Sequence, residues 1–181
     1  MDPAENIIYT IEDIYALNDG ERAELINGQM YMMATPSRIH QKISQFLSLN
    51  IGKYIEKKGG DCEVYTAPFS VFLFSDETTY LEPDLSVICD MNKLTDKGCN
   101  GAPEFVIEIV SPSSSSMDYI TKLYLYKKAG VKLYWIVNPE SKDISVYNFE
   151  QDTFKVYSFE DSIPVEIYSD CVIDFSSLSL E

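Results

Sequence analysis

Short apolar runs broken by polar turns make up most of the chain, while two segments repeat their apolar positions at helical spacing instead. Residues 105–110 are a Val- and Ile-rich run between Pro103 and Ser111-Pro112, a length and a pair of boundaries that predict a buried strand rather than a helix. The apolar run 85–89 predicts a second strand, and residues 131–137 a third. Ile39, Ile43, Phe46, Leu47, Tyr54 and Ile55 recur with the period of a long helix, one that Ser37 caps, that runs through Lys58, and that Gly59-Gly60 ends. Residues 114–129 predict another helix, with serines before Met117 to cap it and Gly130 after it.

Smaller signals fill the gaps. Thr10-Ile11-Glu12-Asp13 marks a short helix start, and Asn27-Gly28 between two apolar-rich runs marks a hairpin. Residues 62–68 and 69–74 predict two strands, 75–79 a polar turn, and 90–101 a loop with room for a short helix. After the turn at Asn138-Pro139, residues 144–149 and 153–158 predict a second hairpin, and 171–175 a closing strand or turn. This order predicts an α/β (α+β) fold: a mixed sheet flanked by helices, one on each face, with an added N-terminal hairpin and a C-terminal meander. If the strands at 105–110 and 131–137 are parallel, the helix between them makes a right-handed crossover. With 181 residues, no repeat and no linker, a single domain over 1–181 is expected.

Composition narrows the class. A hydrophobic share of 45% with 13% aromatics predicts a folded chain rather than a disordered one. No apolar run approaches the roughly 20 residues that cross a bilayer, and the start Met1-Asp2-Pro3-Ala4-Glu5 has neither the basic nor the apolar part of a signal peptide, so a cytoplasmic protein with no membrane partner is expected. Cys62, Cys89, Cys99 and Cys171 lack close paired spacing and the chain has one His, which argues against zinc and for reduced core cysteines. A net charge of −15 opposes tight nucleic-acid binding. Its distribution softens the objection: residues 139–181 hold ten acids against Lys142 and Lys155, and nine of the fourteen basic residues fall in two segments. Those segments carry Arg38, Lys42, Lys53, Lys57 and Lys58, and Lys122, Lys127, Lys128 and Lys132, either two faces for a polyanion or two ordinary solvated faces.

Candidate chemistry lies where acids interrupt the apolar pattern. Glu108 stands inside the 105–110 strand and Asp84 at the start of the 85–89 strand. A carboxylate in such a place requires a metal, a basic side chain or a change of protonation. Two such strands side by side bring together hard oxygen ligands of the kind magnesium prefers. On the 114–129 helix, Asp118, Lys122 and Tyr126 recur every four residues and share one stripe, so Lys122 can reach the acids and Asp118 can hold its ammonium. The alternative for Asp118 and Lys122 is a surface ion pair worth about 0.5 kcal/mol or less. For the strand acids it is a charge at the sheet edge. No Gly-x-Ser-x-Gly elbow, Gly-rich phosphate loop or His-Glu-x-x-His helix competes.

Taken together, Pro83-Asp84, Glu108-Ile109-Val110-Ser111-Pro112-Ser113, Asp118, Lys122, Tyr126, Gly130-Val131 and Tyr134-Trp135, with Glu24-Leu25-Ile26-Asn27-Gly28 and His40 upstream, resemble the Uma-type family of restriction-endonuclease relatives within the PD-(D/E)XK nuclease superfamily. The resemblance spans residues 20–150 or so and implies a restriction-endonuclease-like fold, a Mg2+ (or Mn2+) cofactor, hydrolysis of DNA phosphodiester bonds and a homodimer. It implies Asp84, Glu108 and the main-chain carbonyl of Ile109 as metal ligands. The lysine that the superfamily places two residues after the glutamate is Val110 here, and the resemblance implies that Lys122 takes over its role. It also gives Glu24, otherwise a strand-edge charge, a part as an auxiliary acid, and His40, otherwise a cap or surface residue, an acid-base or substrate-side part. The rivals to an active endonuclease are a non-cleaving DNA-binding module on the same fold and an accessory protein whose metal serves stability.

Overall fold

The computed structural model describes residues 7–111 and 116–181 of the chain. Thr10 opens α1 (Ile11–Tyr15), its amide donating to the Asp13 carboxylate at 2.7 Å. Asn27 (φ 50°) and Gly28 (φ 77°) then form the tight turn between β1 (Ala23–Ile26) and β2 (Gln29–Met32). A Cβ at Gly28 would lie 2.6 Å from the Ile8 side chain, so that turn has no room for a larger residue. Ser37 caps α2 (Arg38–Lys58) by accepting the His40 N–H at 3.2 Å, and Gly59, at φ 65°, ends it.

The main sheet has six strands. In chain order they are β3 (Glu63–Thr66), β5 (Leu85–Ile88), β8 (Phe105–Ile109), β9 (Leu133–Asn138), β10 (Asp143–Asn148) and β11 (Thr153–Ser158), and across the sheet the order is β11-β10-β9-β8-β5-β3. Within this sheet only β8 and β9 pair in parallel, joined through a π-helical turn (Met117–Lys122) that continues into α3 (Leu123–Ala129). Between β3 and β5 lies β4 (Val71–Phe72), and between β5 and β8 the hairpin of β6 (Leu94–Thr95) and β7 (Gly98–Asn100). A ribbon of β12 (Ser162–Pro164) and β13 (Val172–Asp174) closes the chain.

Strand alternation sorts the core into two layers. Leu85, Val87, Phe105, Ile107, Leu133, Trp135 and Val137 face α2, through Ile43, Leu47 and Ile51, together with Ile163, Ile173 and Phe175 of the C-terminal ribbon. Ile88, Val106, Tyr134 and Ile136 face the other way, onto Leu125 and Tyr126 of α3 and onto Ile26, Val71 and Leu81. Glu108, between Val106 and Val110, therefore points toward α3.

The structure differs from the sequence expectations in three places. Cys62 and Cys89 form a disulfide rather than two thiols, because the antiparallel register that pairs Glu63 with Ile88 sets them opposite each other one step further on. Cys99 and Cys171 are buried thiols, as expected. The 69–74 strand shrinks to two residues and the 90–101 loop contains a 3-10 turn (Met91–Lys93) and the β6–β7 hairpin, since β7 pairs in parallel with β4. Gly98 permits that approach: a Cβ there would sit 2.2 Å from the Ser70 carbonyl oxygen. The 114–129 helix is a π-helical turn followed by an α-helix, and Ser116 makes no side-chain cap bond. Residues 112–115, with most of the expected capping serines, lie outside the described residues.

Trp135 is fully buried, 5.1 Å edge-on from Phe105 and also against Phe175. Trp135→Ala should cost about 3–5 kcal/mol of stability, the range for removing a large buried aromatic. A midpoint in urea unfolding close to that of the unaltered chain would contradict this packing.

Candidate active site

The lysine from the helix and the acids from the sheet meet. Lys122 Nζ lies 2.8 Å from Glu24 Oε2, 3.0 Å from Glu108 Oε1 and 3.6 Å from Asp118 Oδ1. All four side chains are buried, with Lys122 and Glu108 each 4% exposed, so Asp118 and Lys122 are not a surface ion pair. Tyr126, on the same stripe, donates its hydroxyl to Glu108 Oε1 at 2.7 Å. Local sequence explains each position. The Asn27-Gly28 turn fixes the hairpin register that turns Glu24 inward, and alternation along β8 turns Glu108 toward α3.

Asp84 approaches from the neighbouring strand. The β5–β8 register pairs Leu85 with Ile107, which sets Asp84 beside Glu108 at the next step and on the same face. Its Oδ2 accepts the Ile109 N–H at 2.7 Å and contacts His40 Nε2 at 3.1 Å. Val110 N–H bonds the Val137 carbonyl on the β9 side, so Ile109 turns both its amide and its carbonyl to the opposite edge, where Asp84 stands. His40 thus reaches the cluster from the first turn of α2, and its Nδ1 is buried with no hydrogen-bond partner among the described residues.

Three carboxylates of the cluster touch one ammonium, and Asp84 lies alongside, so negative charge is in excess. Burial, reinforced by Asp118, Asp84 and Glu24 and only partly offset by Lys122, pushes the Glu108 carboxyl well above its usual range. For Lys122 burial works against the charge, but Glu108, Glu24 and Asp118 outweigh it and hold the ammonium well above the usual lysine value. Burial likewise pushes the Tyr126 and Tyr134 hydroxyls well up, with Glu108 adding to it.

The donor set suits a hard cation. Asp84 Oδ2 and Glu108 Oε1 carry the hydrogen bonds, which leaves Asp84 Oδ1, Glu108 Oε2 and the Ile109 carbonyl as oxygen donors. Among the described residues no three His, Cys, Asp or Glu side chains form a cage by themselves. Magnesium does not need one: it typically takes one or two carboxylates and fills its shell with water and phosphate oxygens. A groove of about 520 Å³ lined by Ile11, Tyr15, Phe72 and Lys97 lies elsewhere and includes none of these residues.

Several supporting residues were not among the sequence candidates. Glu82 donates its backbone N–H to Glu24 Oε1 at 3.1 Å, while its own carboxylate is held by Arg22 at 2.8 Å and by the Tyr80 hydroxyl at 2.7 Å. Period-two spacing offered the signal, since Glu82 and Asp84 fall on the same side of an extended chain. Tyr134 donates its hydroxyl to the Asp118 carbonyl at 3.1 Å, a contact with no sequence signature. The two basic segments are partly engaged within the chain. Lys122 is interior, Lys58 pairs with Asp170, Lys127 with Asp152 and Lys132 with Glu150, and Arg38 and Lys42 donate to backbone carbonyls of residues 180–181.

A mixed sheet with helices on both faces and a carboxylate–lysine cluster at the mouth of its parallel pair defines the restriction-endonuclease-like class. The chain belongs to the Uma2 family, described as "Putative restriction endonuclease", whose model matches residues 9–175. It is 30% identical over 133 residues to an uncharacterized protein of Synechocystis sp., covering 73% of this chain and 68% of that one. Its fold is that of a crystal structure titled "a putative nuclease belonging to DUF820" from Anabaena variabilis, with a TM-score of 0.73 and 19% identity, covering 93% of this chain and 98% of that one. Among the described residues no helix is long and apolar enough to cross a membrane.

The raised Lys122, Tyr126 and Tyr134 values set a sign for alkaline stability. Unfolded tyrosine and lysine lose their protons near pH 10 and about 10.4, whereas the folded groups keep theirs. The folded state then binds more protons, and metal-free protein should lose stability as pH rises through and above that window. Denaturant midpoints taken across it should fall, and fall less steeply in the Tyr126→Phe, Tyr134→Phe double variant. A flat profile would contradict the charge assignment.

Proposed function

We propose that the protein is a divalent-metal-dependent endonuclease that hydrolyses DNA phosphodiester bonds, acting in the cytoplasm as a homodimer. The observation that carries the reading is the Lys122 ammonium 3.0 Å from Glu108, itself beside Asp84 on the adjacent strand. Asp84, Glu108 and the Ile109 carbonyl would hold Mg2+ or Mn2+. When bound, the ion supplies a more acidic water and a Lewis acid for the phosphate.

The chain's own groups do the rest. Lys122 orients the attacking water or balances charge that develops on the phosphate, in a site where burial strengthens each such interaction. Glu24 and Asp118 fix that ammonium from two sides, so it does not swing out to solvent. His40, in contact with Asp84, holds that carboxylate in place. The non-cleaving DNA-binding module shares the two basic segments with this reading, but it leaves the buried Lys122, Glu108 and Glu24 contacts without a task.

Purified protein with Mg2+ or Mn2+ should nick supercoiled plasmid, and a chelator should stop it. Asp84→Asn, Glu108→Gln and Lys122→Met should each slow nicking by roughly 100-fold or more. Folded protein that binds plasmid in a salt-sensitive way yet leaves it uncut in both metals would favour the binding module. Metal-dependent melting with no DNA binding would favour the accessory role.

A further inference from the structure

The candidate cluster leaves one arrangement unexplained: both hydrogen bonds to Glu108 fall on the same oxygen. Lys122 Nζ at 3.0 Å and the Tyr126 hydroxyl at 2.7 Å both donate to Oε1, and Oε2 accepts no hydrogen bond among the described residues. A carboxylate held by one donor can rotate about its last bond and offer either oxygen. Two donors converging on Oε1 from different positions on one helix stripe fix the carboxylate plane and reserve Oε2. Tyr126 is fully buried, and its ring lies 4.9 Å from that of Tyr134, so the hydroxyl has a set position.

Tyr134 acts on the other half of the cluster. Its hydroxyl donates to the Asp118 backbone carbonyl at 3.1 Å, within the π-helical turn that carries both Asp118 and Lys122. A π-helical turn shifts the intrahelical hydrogen bonds by one residue and is rare, found mostly as single turns. The neighbouring β9 strand supports this one through the Tyr134 hydroxyl. One tyrosine therefore sets the orientation of an acid, and its ring neighbour the backbone beneath the lysine.

We propose that Tyr126 and Tyr134 are positioning residues with separate tasks: Tyr126 orients Glu108 so that Oε2 is the oxygen presented to a divalent cation, and Tyr134 holds the turn that aims Lys122. The assignment of a cation to Glu108 rests on the endonuclease reading. The separation of tasks does not, because it concerns side chains already in contact.

Tyr126→Phe and Tyr134→Phe keep both rings and remove one hydroxyl each. In full-length protein, calorimetric titration with Mn2+ should show affinity reduced about 10- to 100-fold in Tyr126→Phe, the usual effect of losing a group that orients a ligand, and unchanged in Tyr134→Phe. Plasmid nicking at saturating metal should fall in Tyr134→Phe through kcat with KM for DNA unaltered. Unchanged metal affinity and kcat in both variants would mean that the rings only fill space, equal changes in both would mean that the tasks are not separate, and either result would overturn the proposal.

A metal-free measurement separates this from the endonuclease reading. With the Glu108 carboxyl and the Lys122 ammonium labelled for NMR, Tyr126→Phe should shift the carboxyl carbon of Glu108 and leave Lys122 little changed, and Tyr134→Phe should do the reverse. If the unaltered protein binds no divalent ion but these shifts are found, the endonuclease reading fails and the positioning pair stands. If the shifts are absent, the pair fails whatever the metal does.

Discussion

Enclosing Lys122 among Glu24, Glu108 and Asp118 is the interaction on which the rest of the structure depends. Each of these groups alone would be expensive to take out of water, and removing any one of them strands the others. The ammonium must therefore be met from three separate parts of the chain: the N-terminal hairpin, the central strand and the crossover helix. That requirement ties elements together that hydrophobic packing alone would leave free to slide. It also accounts for the second line of contacts, in which Arg22 and Tyr80 hold Glu82 so that its backbone N–H can hold Glu24.

The sheet supplies geometry that a loop could not. Because β5 and β8 are antiparallel and in fixed register, Asp84 and Glu108 emerge on one face as neighbours, and a slip of one residue in either strand would turn its acid to the α2 side and part the pair. The parallel step from β8 to β9 forces the chain over that same face, and the crossover helix then presents its Asp118, Lys122 and Tyr126 stripe directly above the acids. The polar cluster thus lies within the apolar layer between the sheet and α3, which accounts for how little of it is exposed.

Much of this was legible in the sequence because it is encoded locally. Asn27-Gly28, Ser37, Gly59 and Gly130 each dictate a turn or a cap by their own conformational preferences, and the runs at 85–89, 105–110 and 131–137 are too apolar for any place but the interior. The four-residue spacing of Asp118, Lys122 and Tyr126 likewise survives, even though the first part of that helix is π rather than α. What stayed hidden depends on pairing between distant segments. Cys62 and Cys89 become a disulfide only once β3 is laid against β5 in one register, and β7 pairs with β4 only because Gly98 lets two backbones approach. The Tyr134 hydroxyl meets a carbonyl, and a carbonyl has no residue type to read.

The charge distribution constrains how such a site would meet a polyanion. Lys58, Lys127, Lys132 and Lys155 are each paired with a carboxylate, and the net charge of −15 opposes phosphate binding over a broad face. Inside the cluster the balance is also negative, with one ammonium among several acids, and burial together with those acids pushes the Glu108 carboxyl up. On the proposed reading, a phosphate group then gains entry only together with a cation that offsets both its own charge and that of Asp84 and Glu108. Binding and chemistry would be coupled through the metal, and the protein would hold substrate weakly in its absence. On that reading the acidic charge would also weaken nonspecific DNA binding and confine contact with DNA to the metal site.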